Sequence, residues 1–395
     1  MRVTTIALLV AGSLASASAM AATDSERISQ LEQQLAAVKA RQDGSSWTEK
    51  FKINGFASVA VGMANNDADY KEYKNELNWE PDSIVGLQGT FMPVDHLEAT
   101  VQFTTAGNND WDLETEWAYL AYTFDSGAKI RGGKLRVPFY MYSDYLEVGY
   151  AYPFVRPSVD VYDLFPISSY TGIDALIPVA VGDGTLTFQP LTGEVNESIN
   201  GADFKLKNTV GMVMQYDLNS WVLRGVYSQT KVETDSAAIA FMDGKTGKFM
   251  GVGASYDPGD WFVVSEFGRI ELDGAYPDKD AAYIAGGVRI DSVTPYLMVG
   301  TTKTQDDDER ANATLKALGY RSASDVKRNS YSVGVRWDFM PQVALKFDTT
   351  WLDNFGDTSG GLPGNSSPLG SSGVQINNGT YDNTVLYTLS VDAVF

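Results

Sequence analysis

The sequence predicts an all-β fold, a transmembrane antiparallel β-barrel of sixteen strands preceded by a short periplasmic helix. Three observations carry that expectation. The first residues read as an export signal, the residues from Phe51 onward alternate with period two, and the connections between the alternating stretches swing between short and long.

The leader MRVTTIALLVAGSLASASAMAA begins with Arg2, passes through an apolar run from Ile6 to Leu14 and ends in small residues at Ala19-Met20-Ala21. A positive start, an apolar middle and an A-x-A end are the parts of a secretory signal peptide, so residues 1–21 are expected to be removed. The apolar run falls short of the roughly 20 residues that a spanning helix needs. The chain contains no cysteine, so an exported protein of this length must rely on a large core or a closed hydrogen-bonded surface. Lysine and arginine number 30 against 50 acidic residues, a net charge of −20. Such a chain is repelled by nucleic acid and by an anionic bilayer surface.

In the polar segment 22–50, Ile28, Leu31, Leu35 and Val38 follow one another at spacings of three, four and three. That is an a/d seam, too short to be stable as an isolated helix. It makes sense where several copies stand side by side. The alternative is an amphipathic helix lying on its own protein.

From Phe51 the period changes to two, and residues 51–395 are expected to form the barrel. FKINGFASVAV, SIVGLQGTF, LEATVQF, EWAYLAYTF and KIRGGKLRV read as strands. YTGIDALIPVAVGDGTLTFQPLTG reads as two more around a Gly-Asp-Gly turn. LKNTVGMVMQYDL, WVLRGVYSQTKV, KFMGVGASYD, WFVVSEFGRIEL, AAYIAGGVRI, TPYLMVGTTK, SYSVGVRWDF, VALKFDTTWL and the final stretch complete the set.

MPVDH, DSGA, VGDG, LNS, DPGD, DSV and MPQ are seven tight turns rich in Asp, Asn, Gly and Pro. Between them fall eight longer connections, among them GMANNDADYKEYKNE, AGNNDWDLE and the segment from TQDDDE to SDVKR. Short turns on one rim and long loops on the other, with an even strand count, are the pattern of an outer-membrane barrel, with both termini at the short-turn rim.

The faces agree with lipid as the outer solvent. Tyr331, Val333, Val335, Trp337 and Phe339 alternate with Ser332, Gly334, Arg336 and Asp338. Only a closed sheet leaves no unpaired backbone edge in hydrocarbon. In the last stretch, YDNTVLYTLSVDAVF, Val385, Tyr387, Leu389, Val391, Ala393 and Phe395 share one face. The final strand is therefore expected to close on the first, with Phe395 at the short-turn interface.

Here the chain resembles Gram-negative porins, whose last strand ends in such a Phe. The resemblance implies that Phe395 is an assembly signal read during insertion. The helical prefix is similar to that of trimeric porins of the DcaP type. It implies a homotrimer in the outer membrane, in contact with lipid and lipopolysaccharide.

The densest aromatic segment is PFYMYSDYLEVGYAYPFVRPSVDVYDLFPISSYTG, whose part 139–172 is the third of the long loops. Long loops without secondary structure are mostly functional or disordered, and this aromatic content argues for order. In the resembling porins the third loop folds into the barrel and narrows the pore. It carries Asp144, Glu147, Asp160 and Asp163 against one base, Arg156. The strand entering it places Lys134 and Arg136 on one face and Leu135 and Val137 on the other. By alternation Lys52, Arg224, Arg289, Arg336 and Lys346 are also lumen candidates, together with Glu98, Glu266, Asp338 and Asp348. An acidic loop facing a basic wall would set a transverse field and hence selectivity. The plainer reading of any one of these is a solvated wall charge balancing its neighbour.

The expected function is passive diffusion of small hydrophilic solutes, with no cofactor, metal or catalytic site. A channel specific for small anions such as phosphate or dicarboxylates is the alternative, and a surface adhesin a more distant one. An enzyme would need a nucleophile with a positioned base. The one histidine, His96, lies in a short turn, and the acidic run beginning at Gln305 reads as a solvated loop, with cation bridging to lipopolysaccharide as the sharper reading.

Overall fold

The structure, a computed structural model, describes residues 50–395 apart from 200, 201, 275, 307, 309, 311, 312, 319–321 and 370–374. The leader and the seam at 28–38 lie outside the described residues.

From Phe51 the chain forms one compact unit built on a closed sixteen-stranded antiparallel barrel. Its first strands are β1 (Phe51–Ala64), β2 (Ile84–Val94), β3 (Leu97–Ala106), β4 (Leu113–Thr123) and β5 (Lys129–Arg136). Then come β6 (Ser169–Val181), β7 (Gly184–Ile199), β8 (Ala202–Leu218), β9 (Trp221–Glu233) and β10 (Thr246–Tyr256). They are followed by β11 (Trp261–Leu272), β12 (Lys279–Val288), β13 (Val293–Thr304), β14 (Lys327–Met340) and β15 (Val343–Asp353). A small hairpin, β16 (Ser366–Pro368) with β17 (Gln375–Asn377), decorates the last long loop, and β18 (Thr384–Val394) ends the barrel. Each strand pairs with its chain neighbour, and β18 pairs with both β15 and β1, so the sheet has no free edge.

The seam is closed between Gly55 and Phe395, the latter on the face that alternation predicts to be the outer one. Phe395 N–H donates to Gly55 O at 2.9 Å, and Gly55 N–H donates to Phe395 O at 2.7 Å. The Phe395 ring stays 66 % exposed on the outer face and lies over Gly55, where a Cβ would stand 2.2 Å from it. A side chain at position 55 would fit only with that ring turned aside.

The outer face is apolar along the strands, with Val59, Leu120, Ile284, Leu297, Val333 and Phe347 exposed. Aromatic pairs collect near the short-turn rim: Trp221 with Tyr256 at 4.5 Å, Tyr122 with Phe124 at 5.0 Å and Trp337 with Phe339 at 5.5 Å. Tyr331 and Trp351, 5.5 Å apart, lie toward the loop rim. An apolar belt between aromatic girdles is what a bilayer requires of a barrel.

Two expectations on connections need correction. The fourth outer connection is not long, because β7 and β8 continue as a hairpin to 199 and 202. Val195, Phe204 and Leu206 are buried in that extension, so the polar letters between them hide a strand with an apolar inner face. The third loop, L3, is also shorter than the 139–172 read from sequence. Ser169 to Gly172 already pair with Arg136 to Gly133 of β5, leaving 137–168 as loop.

Two outcomes check this architecture. An epitope placed at exposed Gly379 in the last loop should be labelled on intact cells, and one at Gly259 in the β10–β11 turn only after permeabilisation. Gly55→Val should lower the folded, heat-modifiable fraction, since overpacking of this kind costs about 1–3 kcal/mol. Gly225→Val, where no atom lies within 4 Å of the new Cβ, is the neutral control.

Candidate functional site

L3 leaves the barrel wall at a rigid base. Arg131 of β5 donates to both oxygens of Asp174 on β6, at 2.9 and 2.6 Å, and Gln189 of β7 donates to the same carboxylate at 2.8 Å. Beyond Val137 the loop turns into the lumen. It forms single turns at 143–145 and 149–151 and one short helix, α1 (Val159–Tyr162). These turns pair some of the loop's own peptide groups, as in Tyr145 N–H to Tyr142 O at 3.1 Å and Tyr162 N–H to Ser158 O at 3.0 Å, and the remaining buried ones need other partners.

The inner wall supplies them. Arg224 Nη2 donates to Pro138 O at 2.6 Å, and Arg336 Nη1 to Tyr150 O and Tyr152 O at 2.7 and 3.0 Å. Lys346 is 0 % exposed and its Nζ donates to Gly149 O at 2.6 Å and Phe154 O at 2.7 Å, with Asp392 at 2.9 Å. Glu266 accepts from Met141 N–H, Tyr162 O–H and Tyr283 O–H, each at 2.8 Å. Tyr296 O–H donates to Asp348 at 2.8 Å and accepts from Val155 N–H at 3.3 Å.

Asp160 is 1 % exposed and accepts from Arg328 at 2.7 Å, from Thr302 at 3.0 Å and from Ser330. Gly300 of β13 makes room for it, because a Cβ there would meet the Asp160 carboxylate. Arg156 donates to Asp82 before β2, at 3.2 and 2.6 Å, and to Thr388 of β18 at 2.7 Å. Apolar contacts complete the seating: Phe139 stacks on Phe249 at 4.4 Å, and Phe154 meets Tyr296 edge-on at 5.0 Å.

Two polar clefts flank the seated loop. One, of about 380 Å³, is lined by Lys71, Arg136 and Arg156 and by Asp82, Glu147 and Asp163, and reaches the loop-rim residues Ala106 and Asn108. The other, of about 330 Å³, holds Asp144, Arg224, Asp257 and Arg289 and lies toward the short-turn rim. Both clefts carry both signs of charge. In the first, Arg136 Nη1 is shared between Glu116 at 2.8 Å and Glu147 at 2.5 Å. Glu147 belongs to the loop, outside the spanning strands. Burial pushes its carboxyl up to about 6 against the pull of Arg136, and Glu116 adds to the rise.

The expected charges thus separate into groups. Glu147 and Arg136 meet directly, Asp144 shares a cleft with Arg224, and Asp163 pairs with Lys71 at 3.4 Å. Asp160, Arg336 and Lys346 are taken up in holding the loop. They do not face one another across water. Arg289 lies past the end of β12, where it binds Asp257 at 2.6 Å at the short-turn rim. Glu98 pairs with Lys129 at 3.0 Å, Asp338 with Arg336, and Lys52 is exposed at the start of β1.

The face assignment at β5 is reversed. Leu135, 0 % exposed, and Val137 join the apolar cluster around Phe139, while Lys134 stands in register with exposed Ala118 and Thr171. Arg131, on the same parity as Leu135, marks the inner side. Arg136 reaches Glu116 and Glu147 only because it lies past the last β4–β5 pair. Sequence reasoning missed Asp82, Glu116 and Arg328. Arg328 could have been found by continuing the β14 alternation back from Arg336; the other two carry no local signal.

A family model described as Gram-negative porin matches residues 4–357. The chain belongs to the Gram-negative porin family. It is an outer-membrane channel for passive diffusion. Solved porin-like barrels agree in fold. An anion-selective porin from Comamonas acidovorans matches at TM-score 0.57 and 15% identity, over 87% of this chain and 99% of its own. The outer membrane channel DcaP of Acinetobacter baumannii matches at TM-score 0.55 and 13% identity, over 87% and 97%. A trimer form of OmpT, an outer membrane protein of Vibrio cholerae, matches at TM-score 0.55 and 12% identity, over 87% and 99%. No curated protein matches the chain.

Lys346→Met should lower the stability of the folded porin by about 3–5 kcal/mol, because it leaves Asp392 buried without its cation. Denaturant unfolding reads this directly. Adding Asp392→Leu should recover part of the loss.

Proposed function

We propose that L3 and the wall it faces form the selectivity constriction of this porin, with charge of both signs on the path. The observation that supports it is the first cleft, where Lys71, Arg136 and Arg156 lie among Asp82, Glu147 and Asp163 beside a loop held inside the barrel. Permeants are small hydrophilic solutes and ions. Asp144, Glu147 and Asp163 supply the negative side, and Arg136 and Arg224 the positive one. Arg289 acts at the short-turn mouth. Asp160, Arg336 and Lys346 act by positioning the loop. The balance of signs does not favour a strongly anion-specific channel.

The protein works as a passive pore without catalysis, and among the described residues no group of His, Cys, Asp and Glu is placed to hold a metal. The porin assembles as a homotrimer, in keeping with the trimer form of the OmpT barrel. It stands against lipid and lipopolysaccharide. Phe395 serves assembly by seating over Gly55 at the closing seam.

Reversal potentials in a salt gradient test the constriction. Asp163→Asn and Glu147→Gln should each shift selectivity toward anions, and Lys71→Gln toward cations. All three shifts should shrink at high salt, because the Debye length falls from about 10 Å at 0.1 M to about 3 Å at 1 M. A raised carboxyl is neutral below its pKa. Acidification through about pH 6 should therefore move the native porin toward anions, and Glu147→Gln should abolish that step. Unchanged potentials in all variants would place the current path elsewhere.

A further inference from the structure

We propose that the apolar cavity between L3 and the inner face of β7 to β11 is a binding site for a small neutral aromatic molecule. The cavity measures about 140 Å³. Its walls are Leu191, Phe204, Leu206, Val232 and Leu272 from the barrel, and Phe139, Leu164 and Phe165 from L3, with Phe249 across from them.

Its position makes it unusual. These are lumen-facing positions, where a water-filled barrel carries polar side chains. The lipid-facing neighbours Val210, Met212, Val252 and Phe267 are exposed and apolar as well, so this sector of wall is apolar on both faces. Seating L3 explains some of the inner apolar surface but not a void. Packed interiors leave few holes larger than a water molecule.

Water is a poor occupant. A buried water needs polar partners, and the strand hydroxyls in the wall are already engaged. Thr209 and Thr230 bond each other at 2.8 Å, and Ser228 donates to Val210 O at 3.2 Å. An apolar cavity of about 150 Å³ lined by Leu, Ile and Phe stays dry and takes benzene or xenon. The present cavity has about that size and a mostly apolar lining, and it opens toward the loop side.

The lining also suits a ring rather than a chain. Phe139, Phe165 and Phe249 lie within 6.3 Å of one another and form a ring cluster in the cavity wall, which a guest ring can join edge-on or offset. Met242 and Tyr276, from the loops after β9 and β11, line the cavity on the loop side, which gives a route from outside the cell. The charged groups in the lining, Lys248 and Glu271, already pair with each other at 3.6 Å, so a carboxylate would meet Glu271 as well as Lys248, and burying one unpaired is costly. The ligand is therefore uncharged.

Crystals of the intact porin soaked in iodobenzene test this through iodine anomalous scattering. The expected result is a peak between Phe139, Leu206 and Phe249, filling at lower concentration than any site on the outer belt. Leu206→Phe, which fills the cavity, should weaken occupancy at least about tenfold, equivalent to about 1.4 kcal/mol. If that variant fails to fold, Leu191→Phe fills the cavity from another strand. Para-iodobenzoate should leave the cavity empty. An empty cavity at saturating iodobenzene would overturn the proposal. So would peaks confined to the outer belt, unchanged occupancy in the filled variants, or equal binding of the benzoate.

Discussion

Buried peptide groups must find hydrogen-bond partners, and the turns of L3 supply them for only part of the loop, so the wall must supply the rest. The barrel wall does so with long cationic side chains. Arg224, Arg336 and Lys346 donate to the carbonyls of Pro138, Gly149, Tyr150, Tyr152 and Phe154, while Glu266 receives the Met141 amide. The loop path, the positions of both polar clefts and the apolar cavity behind the loop all depend on these contacts. A charge that binds a carbonyl is not available to a solute in the same way as one facing water; Lys346 and Asp160 only anchor, whereas Arg224 both anchors Pro138 and borders the second cleft.

That division suits a diffusion channel. Lys346 and Asp160 are buried and fully engaged, which fixes the loop without leaving those charges open to an ion. The charges left at the clefts are paired across short distances, as Arg136 is with Glu116 and Glu147. In the proposed constriction a permeant ion would meet a field of mixed sign, weak enough to leave and focused enough to select. The apolar sector of β7 to β11 stands apart from this path and gives the same barrel a second kind of surface.

Much of the fold was legible in the sequence because period two and turn chemistry are local signals. Val385, Tyr387, Leu389 and Val391 announce the outer face of β18, and LNS or DPGD announce the turns. The third loop was legible as an ordered segment from its aromatic density, while its fold into the barrel was implied by the resemblance to porins. Less was legible where alternation is ambiguous. In KLRV both parities carry plausible inner residues, and only the pairing of Arg131 with Asp174 on the neighbouring strand identifies the lumen side. Alternation also places a residue on a face without giving its depth. Arg289 and Arg224 both qualified from sequence, yet one lies at a rim turn and the other holds the loop. Asp160 and Asp163 are three residues apart, but one is buried under Arg328 and the other is half-exposed beside Lys71.

Hydrogen exchange of the folded porin tests most directly whether the wall holds L3 inside the barrel. If it does, amides in 140–165 exchange on the slow timescale of the strands, while exposed residues 108–112 exchange rapidly. Exchange in 140–165 as fast as in 108–112 would contradict the account.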